Sequence, residues 1–230
     1  MTSTQAPDVL VNQIWYSLTT HHTHLAIGTS LARRYPPDVG AFAAVVAPTE
    51  TALRDLNQIV AKGEMLIVNG LDPKTELPDW TFVGEVLVQR MVCEQPIVEM
   101  DSAETILDLT PADVPDMLHL IELTHPGPFL PRTIEMGRYC GIRKDGQLIA
   151  MAGERFYPPG YHEISSVCTH PDYQGKGYAA LLVSRIATRQ QREGDMPYLH
   201  VSATNSRAIS LYERLGFHKL SEGYAVAMQR

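Results

Sequence analysis

The chain has 230 residues, 44% of them hydrophobic, with a formal net charge of -7 and a sequence pI near 5.7. That length suits one large domain or two small ones around a substantial core, and the acidic balance argues against a nucleic-acid partner, which ordinarily needs a basic face. Cys93, Cys140 and Cys168 are odd in number, widely spaced and set in apolar surroundings, so they predict buried thiols in a reducing compartment rather than a disulfide framework. Met1 to Asp8 lacks the basic and apolar regions of a leader, and no run of about 18 apolar residues occurs, so the expectation is a soluble, cytoplasmic protein without membrane contact.

In chain order, Val9, Leu10, Ile14, Trp15 and Leu18 have helical spacing. The cluster His21-His22-Thr23-His24 follows. Neighbouring residues on a helix point about 100° apart, and no Cys, Asp or Glu stands at ligand spacing, so no metal site is expected there. Pro36-Pro37 ends this unit, and Phe42 to Ala47 reads as a strand. Thr49 to Val60 then reads as a helix capped by Thr49 or Thr51. Met65 to Val68 and Val83 to Val92 are strand candidates, separated by a turn-rich segment from Asn69-Gly70 to Pro78-Asp79. Pro96 to Ala103 is short and carries Ile97, Val98 and Met100, which predicts a packed joint between two regions, 1-98 and 99-230.

Leu109-Thr110-Pro111 opens a helix, with Thr110 as cap and Val114, Met117, Leu118 and Ile121 on its apolar face. The proline-rich run His125 to Pro131 makes a stiff loop. Tyr139 to Arg143 and Gln147 to Arg155 form a hairpin around Asp145-Gly146, and Tyr161 to Thr169 is the next antiparallel strand. Pro171 forbids that strand from continuing, and beyond Gln174-Gly175-Lys176-Gly177 an amphipathic helix runs to about Arg192.

A strand, a glycine-bearing loop and a helix are suited to an anion. The first helical amides have no intrahelical acceptor, and the helix dipole favours negative charge there. Gly175 and Gly177 allow close backbone approach and positive φ. The loop is not a P-loop, because Lys176 lies between the glycines and Tyr178 stands where a magnesium-binding hydroxyl would be needed. Nor does it have the third glycine and later acidic residue of a dinucleotide site.

Gln174-Gly175-Lys176-Gly177-Tyr178-Ala179 resembles the phosphate-binding signature of the GCN5-related N-acetyltransferase superfamily. The downstream run Asn205-Ser206-Arg207-Ala208-Ile209-Ser210-Leu211-Tyr212, ending in Gly216-Phe217, resembles a second superfamily element. Glu163 to Asp172, with Pro126-Gly127-Pro128-Phe129 and Arg132-Thr133 upstream, is similar to the branch containing the glycine N-acyltransferase C-terminal domain. The resemblance covers roughly residues 100 to 230. It implies an α/β (α+β) fold with a mixed, mostly antiparallel sheet flanked by helices. The element order of the first region loosely echoes an eroded half of the same type.

What the resemblance implies about function is an N-acyltransferase moving an acetyl or short acyl group from acetyl-CoA to a primary amine of a small molecule or amino acid, by direct attack in a ternary complex. A non-catalytic acyl-CoA sensor or scaffold is the competing reading. Cofactor contacts are expected at Val167, Cys168, Thr169, Gln174, Gly175, Lys176, Gly177, Tyr178, Ala179, Asn205 and Ala208. The oxyanion would be met by a main-chain N-H around Val167 or Cys168, where the strand parts from the one at Leu199. Glu163 is the expected base, directly or through water, against a structural pairing with Arg155. Tyr212 is the expected acid, and Phe129 and Arg132 are candidates for acceptor contact. Cys168 has no His placed to activate it, so no covalent route is expected. A homodimer is compatible with the sequence.

Overall fold

The computed structural model describes residues 8-69, 77 and 79-230. Most of the turn-rich segment expected between Asn69 and Asp79, and the stretch before Asp8, lie outside the described residues. The first region runs α1 (Asp8–Val11), α2 (Gln13–Thr19), β1 (Ile27–Gly28), β2 (Ala32–Arg34), β3 (Phe42–Val45), α3 (Glu50–Ile59), β4 (Met65–Asn69) and β5 (Thr81–Val92). The second runs β6 (Leu107–Leu109), α4 (Val114–Thr124), β7 (Tyr139–Lys144), β8 (Gln147–Glu154), β9 (Tyr161–Thr169), α5 (Tyr178–Glu193), β10 (Met196–Ser202), α6 (Ser206–Arg214) and β11 (His218–Gln229).

Local chemistry accounts for several boundaries. Thr49 caps α3 by accepting the Ala52 N-H at 3.2 Å, leaving Ala52 and Leu56 to face the core. Asp145 and Gly146 both take positive φ, 49° and 83°, as the β7-β8 hairpin requires. Short β1, β2 and β6 were not expected from periodicity, since two or three residues cannot display an alternation. The Pro96-Ala103 joint has no regular structure and is fastened to α5, with Ile97 N-H donating to Gln191 Oε1 at 2.9 Å and Met100 N-H to Ser184 Oγ at 3.2 Å.

All eleven strands form one sheet in the order β1-β2-β3-β4-β11-β5-β10-β9-β8-β7-β6. Two neighbouring pairs are parallel, β3 with β4 and β9 with β10, and each is bridged in sequence by a helix, α3 and α5 respectively. The final strand of each region crosses into the other: β11 lies between β4 and β5, and β5 lies between β11 and β10. The sheet is therefore continuous across the Pro96-Ala103 joint.

The largest apolar cluster joins α5 and α6 to the sheet through Leu182, Val183, Ile186, Ile164, Leu199 and Phe217. A second cluster sets Ile14 and Leu18 of α2 against Tyr35, Phe42 and Phe156.

The pairing of β9 with its neighbours changes midway. It pairs with β10 from Tyr161↔Met196 to Ile164↔Leu199. On its other edge the register with β8 shifts between Ser165 and Cys168, opposite Gly153 and Met151, which places a bulge at Ser166 with φ 53°.

Beside this bulge the packing is close. A Cβ built on Gly153 would meet the Tyr139 ring at 2.2 Å. Gly153→Ala is therefore expected to lose about 1–3 kcal/mol through overpacking, read in a thermal melt as a fall of about 2–4 °C per kcal/mol.

Candidate active site

Where β9 and β10 part, a cavity of about 1210 Å³ opens between them. Every β9 residue from Ile164 to Thr169 lines it, as do His200, Val201 and Ser202 of β10. One end is closed by Gln174, Gly175, Gly177 and the first turn of α5, with Asn205, Ala208 and Tyr212 of α6 beside them. The cavity continues to Gln13, Phe42 and Arg90, contributed by the first region, and to Arg155 and Phe156.

The glycine loop has the conformation its composition predicts. Gly175 and Gly177 take φ 80° and 84°, in the left-handed region, and no atom stands within 4 Å of a Cβ built on either. Gly177 caps α5, so the N-H groups of Tyr178, Ala179 and Ala180 have no intrahelical acceptor and lie at the cavity wall. Gln174 ties the loop to α6 by accepting from Arg207 Nη1 at 3.0 Å. Asn205 Oδ1 accepts the Ala208 N-H at 3.1 Å and caps α6. Of the expected cofactor positions all but Lys176 line the cavity; its ammonium instead sits 4.8 Å from the Tyr173 ring centroid.

Glu163 lies behind the cavity wall, fully buried. Its oxygens accept from Arg155 Nε and Nη2, both at 2.8 Å, and its Oε1 lies 2.7 Å from His200 Nδ1. Burial alone would raise its pKa, but the Arg155 charge and the bonds from Arg155 and His200 outweigh it and hold the carboxyl well below 4.5. A carboxylate so deep and so well paired neither reaches an acceptor in the cavity nor holds a proton at neutral pH. The Arg155 pairing weighed from sequence is the one observed, and the cavity is met instead by His200.

With Nδ1-H donated to Glu163, His200 has Nε2 as an acceptor, and it receives Arg90 Nε-H at 3.3 Å. Burial lowers the His200 pKa below 6.5, so the ring is neutral near pH 7. Sequence reasoning passed over His200 because a lone histidine on a short strand carries no signal; its partner lies 37 positions away.

Tyr212 lines the cavity, and burial pushes its phenol up to about 12, so it stays protonated. Its hydroxyl donates to no protein acceptor among the described residues. Cys168 is buried and its thiol is pushed up to about 11, which removes it as a nucleophile at neutral pH.

Neither expected acceptor contact from the proline-rich loop lines the cavity. Phe129 is buried edge-on against Tyr139, ring centroids 5.6 Å apart, because the stiff loop folds it back into the cluster under α4. Arg132 faces outward and pairs with Asp38 at 3.1 Å and Glu135 at 2.6 Å, fastening the loop to the first region. The part of this loop that does line the cavity is His125 to Pro128.

The histidine cluster is structural. His22 Nδ1 lies 2.8 Å from the Tyr35 hydroxyl and His21 stacks on Tyr157 at 3.7 Å. Among the described residues no group of three or more His, Cys, Asp and Glu could hold a metal, and no helix is long and apolar enough to cross a membrane.

A family profile described as FR47-like protein matches residues 139-226. A crystal structure of a putative acetyltransferase from the GNAT family, from Novosphingobium aromaticivorans DSM 12444, is 32% identical with a TM-score of 0.88, covering 97% of this chain and 99% of that one. The chain belongs to the GNAT family. Its mixed, mostly antiparallel sheet flanked by helices is the fold of that family. The ribosomal protein bS18-alanine N-acetyltransferase of Escherichia coli K12 is 27% identical over 121 residues, 50% of this chain and 81% of that enzyme. A GCN5-related N-acetyltransferase from Kribbella flavida shares the fold at 17% identity, with a TM-score of 0.60 over 96% of this chain and 95% of that one.

GNAT proteins use acetyl-CoA, and the residues present fit such a ligand. Unpaired amides at the α5 N-terminus suit its phosphates, and the opening between β9 and β10 offers backbone to its extended arm.

A second buried carboxylate anchors β8 to α5. Glu154 is fully buried and accepts from Arg138 Nε at 2.9 Å and Arg189 Nη2 at 3.1 Å. Burial pushes its pKa up, but His162, Arg138 and Arg189 overcome this and hold it at about 2; because burial also keeps His162 neutral, the arginines carry the effect near pH 7. The unfolded carboxyl, near 4.5, binds its proton first as pH falls, so stability from Glu154 is complete above about pH 4.5 and lost between there and about pH 2. Urea unfolding across that window is expected to show a shallower loss of stability with acid in Glu154→Gln than in the wild type.

Proposed function

We propose that this GNAT protein is an acetyl-CoA-dependent N-acetyltransferase of the cytoplasm, acting on the primary amine of a small molecule or amino acid by direct attack in a ternary complex. The observation that carries the reading is the unbroken cavity from the free amides of α5, through the gap between β9 and β10, to His200 and Arg90. Residues 99-230 are the transferase unit. Residues 1-98 are an eroded second half, supported by the repeated strand-helix-parallel-strand unit around α3 and by the absence of a glycine loop there among the described residues.

Bound acetyl-CoA supplies an activated acetyl group and a thiol leaving group: the N-C bond forms as the C-S bond breaks. The amides of Gly177 to Ala180 hold the phosphates, with Gln174 and Asn205 fixing the loop and helix around them. Val167 and Cys168 present the backbone that meets the acetyl oxygen. His200 Nε2 accepts the amine proton once the entering acceptor displaces the long 3.3 Å bond it receives from Arg90 Nε-H, and Glu163 fixes its tautomer and balances the imidazolium that results. Tyr212 gives its proton to the departing sulfur. The bS18-alanine enzyme has a protein acceptor by its name; a small acceptor is favoured here because the first region lines the far part of the cavity, through Gln13, Phe42 and Arg90.

Isothermal titration is expected to show acetyl-CoA binding that weakens in Gly177→Val. A β-branched residue at φ 84° is strained by about 1–2 kcal/mol and fills the space the phosphates need. Absence of binding by the wild type sinks the proposal, and binding without thiol release from any amine points to the sensor instead.

For the roles of His200 and Tyr212, His200→Gln and Tyr212→Phe are each expected to lower kcat by roughly 10²–10⁴-fold. Acid protonates His200, so in the wild type kcat should fall through a limb centred below pH 6.5, and His200→Gln should lack it. Full turnover by either variant removes that residue from the scheme.

A further inference from the structure

The far end of the cavity carries a charge that no protein group balances. Arg90 is half-buried in the cavity wall. Its guanidinium donates to His200 Nε2 at 3.3 Å, Ser221 Oγ at 2.9 Å and Gln13 Oε1 at 3.4 Å, all neutral acceptors. No Asp or Glu among the described residues pairs with it. Glu222 is the only carboxylate lining the cavity among those residues, and it is engaged by Lys219. The neighbouring Arg155 is neutralised by Glu163. With His200 neutral, this end of the cavity therefore holds one net positive charge.

Holding a guanidinium partly out of water without a counter-ion is unfavourable, and the planar fork of Arg matches a carboxylate. Arg90 has an N-H left over on each terminal nitrogen to make that match. It also touches His200, the group assigned to take the amine proton, and the two facing nitrogens are 3.3 Å apart. A ligand addressing both residues must carry its amine and its carboxylate close together, as an α-amino acid does, with one carbon between them. The adjoining surface is apolar: Phe42 and Phe156 lie against the Arg155 guanidinium at 5.2 and 4.7 Å, and Ile14 follows Gln13.

Resting on the acetyltransferase reading above, we propose that the acceptor is a free α-amino acid with an apolar side chain, its carboxylate held by Arg90 and its amine beside His200. The product is the corresponding N-acetyl amino acid. A peptide N-terminus lacks a carboxylate at that position, so Arg90 selects against it.

The test measures thiol release from acetyl-CoA with L-phenylalanine and L-leucine against their C-terminal amides. In the wild-type protein kcat/KM for the free acid should exceed that for the amide by about tenfold or more, the worth of a charged hydrogen-bonded contact. Arg90→Gln should collapse that ratio, and Arg90→Lys should restore part of it. Thermal melts establish that the variants are folded, and the wild-type comparison requires no variant. Equal use of acid and amide by the wild type, preference for the amide, or an unchanged ratio in folded Arg90→Gln overturns the assignment. If acetyl-CoA binds and other amines turn over while free amino acids do not, this proposal fails and the acetyltransferase reading stands. If acetyl-CoA does not bind, both fail.

Discussion

The structure depends on a pairing that stops. β9 and β10 run together only from Tyr161↔Met196 to Ile164↔Leu199 and then diverge, although both strands continue. In a continuous sheet the backbone groups on those facing edges would satisfy each other; here they are left for something else to satisfy. The bulge at Ser166 takes up the extra residue on the β8 side, so β9 can turn away from β10 without losing its other neighbour. The cavity, the exposed strand backbone and the approach to the α5 amides all follow from that separation.

Opening a sheet in its middle is structurally costly, and the buried ions close to the gap show how the two sides are held. Glu163 is shared by Arg155, which follows β8, and His200 of β10, so one carboxylate joins groups from both sides of the opening. Glu154, next to Arg155, fastens β8 to α5 through Arg189. Such pairs do little for net stability compared with apolar packing, but removing one partner strands a buried charge. Their placement fixes geometry, and in this protein that geometry is the mouth of the cavity between β9 and β10.

Much of this was legible in the sequence. The strand, glycine loop and helix from Tyr161 to Glu193 are local, and Gly175 and Gly177 mark positive-φ positions directly. The Asn205 cap and the placement of Tyr212 on the cavity side of α6 could likewise be read from helical spacing. The short strands β1, β2 and β6 escaped because they are too brief to alternate, and the misses at the acceptor end of the cavity are non-local. Phe129 and Arg132 were tied to the acceptor by their loop, but Tyr139 and Asp38 claim them instead. Glu163 could be read as a base or as a partner of Arg155 until its burial and the position of His200 were known. Gln13, Phe42 and Arg90 reach the cavity only because β5 pairs with β10 while α2 and β3 pack together against Phe156, and no periodicity within the first region reports that.

The crossing of β11 into the first region bears on how the molecule comes into being. During synthesis β4 and β5 emerge well before the strand that must lie between them, His218–Gln229, from which the whole second region separates them in sequence. Until then β4 and β5 each present an unpaired edge, a template for contact with other nascent chains. Closure of the sheet therefore waits on a strand distant in sequence and is slow for that reason.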